Sequence, residues 1–314
     1  MWVHRALGWC AAKGRYLLVA GLLTGMFFET LAQALKAHIP EMAICLLFFA
    51  AFRVGPKAAF GALKDFRQAI LFVILFQVLV PVFLFGVFNF VGWIGILPAG
   101  IALLCAGASV SASPHLAVMT GHSPAPALRL LVLGTALLPL TITPILWLLP
   151  QFGDASAVIA ASANLFLVIA FSTALAFSLR YFVFQVLSEK ATRSVDGASA
   201  IFLYMIVVGL MAAVGPALWQ DFPLFLKTLA AAFAVNFGLQ IFFFFILNTE
   251  GLSEKRVPFS IVSGNRNMAL FLTALPVAVT DPLLLFIGCY QIPMYLTPML
   301  LGRLYKNVSN KPVI

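Results

Sequence analysis

A chain of 314 residues that is 63% hydrophobic and only 9% charged, with a mean hydropathy of +1.07, has more apolar surface than a soluble core can hide. That balance excludes a soluble enzyme, a nucleic-acid binder and a disordered chain; the solvent is lipid, and at about 20 residues per span the length holds roughly nine to eleven helices. The net charge of +9 is then a signal of topology before it is a signal of partners.

Ten apolar runs follow one another, at 16–35, 39–53, 68–90, 92–120, 127–149, 157–181, 196–219, 222–248, 256–279 and 282–304. The second is short. The first follows Arg5, Lys13 and Arg15 and contains Ala32-Gln33-Ala34, a pattern shared with cleaved leaders. Its length, with Glu29 and Thr30 inside it, argues for a retained helix in which Glu29 either pairs with a neighbour or faces a cavity. The third run carries Gln77.

The fourth is interrupted by Cys105-Ala-Gly-Ala-Ser-Val-Ser-Ala-Ser-Pro-His115. Pro114 cannot donate to the preceding turn and disfavours helix at Ser113, yet a serine cap followed by proline starts a helix well. One helix is therefore predicted to stop near 107–111 and another to begin at Pro114. In the eighth run Asn236 and Gln240 lie four apart on one face. The ninth contains Ser260-Ile-Val-Ser-Gly-Asn-Arg-Asn-Met-Ala-Leu270, where Gly264 loosens the helix and Asn265 is a competent cap for a restart. The phenylalanines at 242–245 face lipid by default. Cys10, Cys45, Cys105 and Cys289 are too scattered for a disulfide framework and are packing residues.

With the N-terminus inside, alternate loops collect sixteen lysines and arginines, and only Lys36 and Lys227 fall outside. Both termini are expected in the cytoplasm, in a multi-pass protein of the cell membrane (in a bacterium, the inner membrane). The two long loops, 53–67 and 182–195, occupy equivalent places in two halves of five spans. Halves with an odd number of spans insert in opposite senses, so hydropathy predicts an all-α polytopic domain with a 5+5 inverted repeat, about 16–149 and 157–304.

Arg266 is the one basic residue left in mid-span, about 15 Å of helix from either end and too deep to snorkel easily. At the first position of a restarting helix it would sit against a positive dipole, which favours an anion completing the site. Three roles are open to it: binding an anion, replacing a bound cation, or tying down carbonyls where the broken helices meet. His115 is either a second donor and proton acceptor or a satisfied core histidine. Asn265, Asn267, Asn236, Gln240, Ser113 and Gln77 are the other polar groups expected around a substrate, with helix–helix bonding as their alternative role.

These residues resemble the bile acid:sodium symporter family over nearly the full span pattern. Gln77 followed four residues later by Pro81 is similar to the family's third helix. Thr135-Ala-Leu-Leu-Pro139 with Thr143-Pro144 looks like its Ser-Thr…Pro…Thr-Pro stretch, and Asn267-Met-Ala-Leu270 like its Asn-x-Ala-Leu. The resemblance implies a core of spans 3–5 and 8–10, a panel of spans 1, 2, 6 and 7, fourth and ninth helices crossing at unwound centres, and organic-anion substrates. It also implies degenerate sodium sites. In a gapless register the family's Glu falls on Val262, its Gln on Arg266, its Ser-Asn pair on Ser113-Pro114 and two hydroxyl residues on Ala127 and Leu131. A hard cation wants several oxygen ligands, so sodium is doubtful and no other cofactor is expected.

The function expected is therefore a secondary transporter moving a small organic anion by alternating access, uncoupled from sodium at the usual sites. Its partners would be that anion and the bilayer, with no nucleic acid. The alternatives are a ligand sensor with a transporter fold and an intramembrane enzyme. For the enzyme, Ser111 or Ser113 near His115 offers the only nucleophile–base pair, with no nearby Asp to orient the histidine.

Overall fold

Seven helices are long and apolar enough to cross a bilayer, and an eighth crossing results if Tyr16–Phe27 and Glu29–Lys36, bent by 108°, count as one. The computed structural model describes residues 2–61, 66–149 and 155–309, so Lys64 and Lys311 of the charge count lie outside the described residues. All regular elements there are helical, with one isolated antiparallel bridge between Ser109 and Arg266. The seven are Ile39–Gly61, Phe66–Phe90, Ala125–Leu148, Ala155–Phe182, Glu189–Gln220, Phe222–Ile246 and Val277–Leu300. The fourth and ninth expected spans are not continuous crossings. They carry the shorter helices Ile96–Ala106 and Ser253–Gly264.

Two early expectations need correction. The first run does not continue straight through Glu29. The chain turns at Phe28 (φ −114°, ψ 77°), and a separate helix starts with Glu29 in its first turn and ends with Lys36 in its last. Acid at the start and base at the end suit the helix dipole, so Glu29 is an exposed end residue and not a mid-span charge. The second helix also runs beyond residue 53, to Gly61, through a kink where Gly55 takes φ 71° immediately before Pro56. A residue before proline avoids the helical region, and only glycine enters the left-handed one cheaply.

The chain divides into two compact units. One comprises residues 1–61, 160–226 and 269–289. Within it Glu189–Leu210 packs against Trp2–Ala12, Gly14–Phe27, Glu29–Lys36 and Ile39–Gly61. Glycine makes these approaches possible: a Cβ on Gly197 would stand 2.0 Å from the Leu7 carbonyl oxygen, and one on Gly25 would stand 2.5 Å from that of Val208. Close backbone contact through small residues is how membrane helices associate without a hydrophobic drive. Ion pairs Arg53–Asp196 (2.8 Å) and Lys36–Asp281 (3.0 Å) fasten its ends.

The other unit comprises 62–159, 227–268 and 290–314. Its core gathers Ala69, Val73 and Phe76 of the third apolar run, Ala127, Leu130 and Leu133 of the fifth, Phe243 and Leu247 of the eighth, and Phe259 and Val262 of the ninth; Phe243 and Phe244 are thus buried, and only Phe242 and Phe245 keep the outward exposure expected of the whole run. The rings of Phe72 and Phe259 lie 4.4 Å apart and those of Phe76 and Phe243 4.7 Å apart, close enough for aromatic pairing. Ala127 and Val262 are apolar members of this packed core.

Candidate functional site: a crossover of two interrupted helices

All eight candidate residues belong to the second unit. The fourth run breaks about where small residues and Pro114 predict: a helix ends at Ala106, Gly107 turns extended (φ −60°, ψ 153°), and a new helix begins at Ser113, which is its first residue and not the expected cap, a place taken by Ala112 without a side-chain bond. The ninth behaves differently. Its helix ends at Gly264, and Asn265 (φ −105°, ψ 94°) closes that helix instead of capping a new one. Helical turns resume only at Phe271–Thr273 and Val277–Thr280. Between the two breaks the backbones pair: Val110 N–H donates to Asn265 O at 3.0 Å, and Asn267 N–H donates to Ala108 O at 2.8 Å.

This corrects the electrostatics expected for Arg266. It follows a helix C-terminus, where the dipole is negative and a cation is favoured. The residue is 2% exposed. Its Nε donates to Ser263 O at 3.0 Å, Nη1 to Gly107 O at 3.2 Å and Nη2 to Phe76 O at 3.2 Å. Each of these carbonyls has lost its helical partner for a separate reason. Ser263 would be served by the Asn267 N–H, which goes to Ala108 instead. Gly107 lies past the end of its helix. Phe76 sits in a π-turn, Leu75–Leu79, in which the Val80 N–H bonds to Leu75 O. The next N–H along would come from residue 81, which is proline. An orphaned carbonyl away from water must find a donor, and one guanidinium serves all three.

The amides of the helix Phe222–Ile246 do the same for neighbouring groups. Asn236 Nδ2 donates to Gly264 O at 2.6 Å and to Asn265 Oδ1 at 3.4 Å. Gln240 Nε2 donates to Asn236 Oδ1 at 2.6 Å and to Thr297 Oγ1 at 3.1 Å, and Gln240 Oε1 accepts from the Tyr305 hydroxyl at 3.1 Å. The Tyr290 hydroxyl also donates to Gly264 O. Asn265 Nδ2 turns back to Ile261 O at 2.8 Å. Asn236, Gln240, Asn265 and Thr297 are fully buried, so this is a polar joint with its own members as partners. Nearby, Gln77 accepts from Thr141 Oγ1 at 2.7 Å, and Ser113 accepts from Ser109 Oγ at 2.9 Å.

Two candidates stand apart from that network. Asn267 is half-buried, and its side-chain amide makes no hydrogen bond among the described residues. His115 is exposed on the helix after the first break and makes none either. In the link that follows, His122 Nδ1 lies 3.0 Å from Thr120 O, while its Nε2 is buried without a partner among the described residues. Burial pushes this imidazole below its ordinary pKa, partly offset by the Thr120 carbonyl.

Sequence reasoning missed Tyr290, Thr297 and Tyr305, which came as ordinary aromatics and hydroxyls in the last apolar run or just after it. No cluster of His, Cys, Asp and Glu that could hold a metal occurs among the described residues. Comparison of the chain with protein-family profiles and with curated proteins gives no match.

Proposed function

We propose that the protein is a ten-span secondary transporter of a small organic anion, working by alternating access and without sodium at the aligned positions. The observation that carries the reading is the antiparallel pairing of two helix breaks, Ala108–Val110 with Asn265–Asn267, in the fourth and ninth runs. Irregular backbone at that depth is tolerated only against protein or a water-filled cavity, and paired broken helices are characteristic of transport sites. The resemblance to the bile acid:sodium symporters points the same way. Apolar packing at Ala127 and Val262 supports sodium independence.

In this reading the crossover residues divide by role. Arg266, Asn265, Asn236, Gln240, Gln77 and Ser113 hold the joint, and Asn267 and His115 carry the polar groups left over for a ligand. An anion would be held by hydrogen bonds from the Asn267 amide and the His115 ring, with the buried guanidinium contributing charge at a distance.

Uptake into proteoliposomes tests the proposal directly. A set of radiolabelled carboxylates and sulfonates, from a short oxo acid to a steroid carboxylate, should include one that accumulates beyond protein-free vesicles, equally in sodium and choline buffers. Saturable binding without uptake would favour the sensor reading, and chemical conversion would favour the enzyme. Steep sodium dependence would mean that other oxygens coordinate the ion.

The topology within this proposal draws support from side-chain pairs. Arg53–Asp196 and His4–Ser194 join residues that the charge split assigns to the cytoplasmic side, as does Lys255–Gln68 in the second unit. Lys36–Asp281 joins two assigned to the opposite side. Single cysteines at residues 5, 57, 190 and 306, in a background lacking the native four, should label from the cytoplasmic face only. Labelling of 57 and 190 from outside would overturn the ten-span arrangement.

A further inference from the structure

We infer that the link after the fourth run holds a proton-operated catch: neutral His122 closes the end of the helix Ser113–Met119, and a charged His122 is driven off it. The catch rests on the geometry of this link and is independent of the transport reading.

The helix end is closed by backbone and side chain together. Gly121 takes φ 86°, its N–H donates to Val118 O at 3.0 Å, and the His122 N–H donates to Ala117 O at 2.9 Å. That crossed pair of bonds is a Schellman closure, in which His122 is the residue folded back over the helix. The ring adds a third bond. A carbonyl can only accept, so the 3.0 Å contact between Nδ1 and Thr120 O puts the proton of the neutral ring on Nδ1. Thr120 is fully buried, and its hydroxyl turns back to Ala117 O at 2.9 Å. Nε2 is then a bare acceptor, buried with no partner among the described residues.

The closure suits a neutral ring and not a charged one. Protonation adds an N–H at Nε2 with no described acceptor, and a buried donor left unpaired is costly. It also adds a charge in cationic surroundings. The helices Ala125–Thr141 and Ser253–Gly264 pack on Ser113–Met119, and Tyr305 packs with Leu116 and Ala117. The first carries Arg129, the second Glu254, Lys255 and Arg256, and Arg303 and Lys306 flank Tyr305. Glu254, the only acid in this set, is exposed. Arg256 serves Phe244 O and Asn248, and Lys255 serves Gln68. The negative end of the short helix favours a cation, yet burial outweighs it and holds the imidazole below its ordinary pKa. The sign follows: the catch is closed above the ordinary histidine value and opens as the pH falls below it. Linkage makes the closed-to-open ratio fall by up to about tenfold per pH unit. Gly121, Ser123 and Pro124 are exposed, so the charged ring has water to turn into. Opening loosens the far end of a helix whose near end is tied to the paired break, where Ser113 N–H donates to Val110 O at 3.0 Å.

Hydrogen–deuterium exchange of the full chain in phospholipid nanodiscs tests the catch, read as protection factors so that the intrinsic pH dependence of exchange is divided out. Protection over residues 116–122 should hold at high pH and fall by up to about tenfold per unit below about pH 6.5. His122→Asn, whose short amide keeps a donor for Thr120 O and cannot charge, should stay protected throughout. His115→Gln, on the same helix, should respond as the wild type does. The catch is refuted by protection that ignores pH, by a drop that persists in His122→Asn, or by one that vanishes in His115→Gln. If His122→Asn does not fold, the ring itself decides the question. In a chain with His4, His38 and His115 replaced by glutamine, nitrogen-15 spectra of the remaining histidine should show the Nδ1–H form at neutral pH, titrating below the ordinary value. An Nε2–H form, or titration at or above that value, would overturn the inference.

Discussion

Arg266→Gln should cost the protein much of its stability and, under the transport proposal, should leave anion affinity nearly unchanged in the molecules that remain folded. The glutamine amide is shorter than a guanidinium and reaches one of the three carbonyls at Phe76, Gly107 and Ser263, stranding two. Each stranded buried acceptor costs about 1–3 kcal/mol, so the loss is about 2–6 kcal/mol. The insertion penalty for a mid-span charge is borne by folded and unfolded states alike, which is why removing the charge does not refund it. Unfolding midpoint, monodispersity in detergent and equilibrium binding of an anion selected by the uptake assay would be measured on the same preparation. An unchanged midpoint with anion binding weakened by a decade or more would show that the guanidinium reaches the ligand, and the joint as described would be wrong.

Gly264→Ala should be comparably damaging for a steric reason. A Cβ there would stand 2.2 Å from the backbone oxygen of Asn236 and 2.6 Å from Cγ of Gln240. Backbone cannot rotate away as a flexible side chain would, so the ninth helix must withdraw from the eighth. Withdrawal would also pull the Gly264 carbonyl from the Asn236 amide and the Tyr290 hydroxyl. Overpacking alone costs about 1–3 kcal/mol, and losing those bonds adds about 0.6–1.7 kcal/mol each in a membrane setting. Gly238→Ala in the eighth helix is the matched control, since a Cβ there meets nothing within 4 Å, and alanine is about 1 kcal/mol the better helix former. Equal midpoints for the two alanine variants would refute the close approach of the eighth and ninth helices.

Several features of this architecture could be read directly from residue order. An apolar fraction this high with so few charges demands lipid, because no soluble surface can be built from it. The stop before Gly107 and the start at Ser113–Pro114 were legible because proline and a run of small residues act on their own turn, whatever surrounds them. The kink at Gly55-Pro56 and the separate helix between Glu29 and Lys36 had local signals too, a glycine before proline and end charges of the right sign, but the apolar runs around them masked both.

What happens at Asn265 was not local. Asparagine can cap a helix start or close a helix end, and the sequence holds no preference between them. The choice fell to tertiary pairing: once Asn267 N–H bonds to Ala108 O and Asn265 O accepts from Val110, the chain is held extended and cannot restart a helix. That choice reversed the meaning of Arg266, from a cation against a positive dipole seeking an anion to one among orphaned carbonyls. Gln240 and Asn236 likewise read as a polar face in sequence, and only packing with Thr297 and Tyr305 made them mutual partners. Residue order alone determined the solvent and most places where helices break, because those depend on composition and on single turns. Tertiary structure decided which carbonyl each buried donor serves, because hydrogen-bond partners in lipid are set by which segments meet.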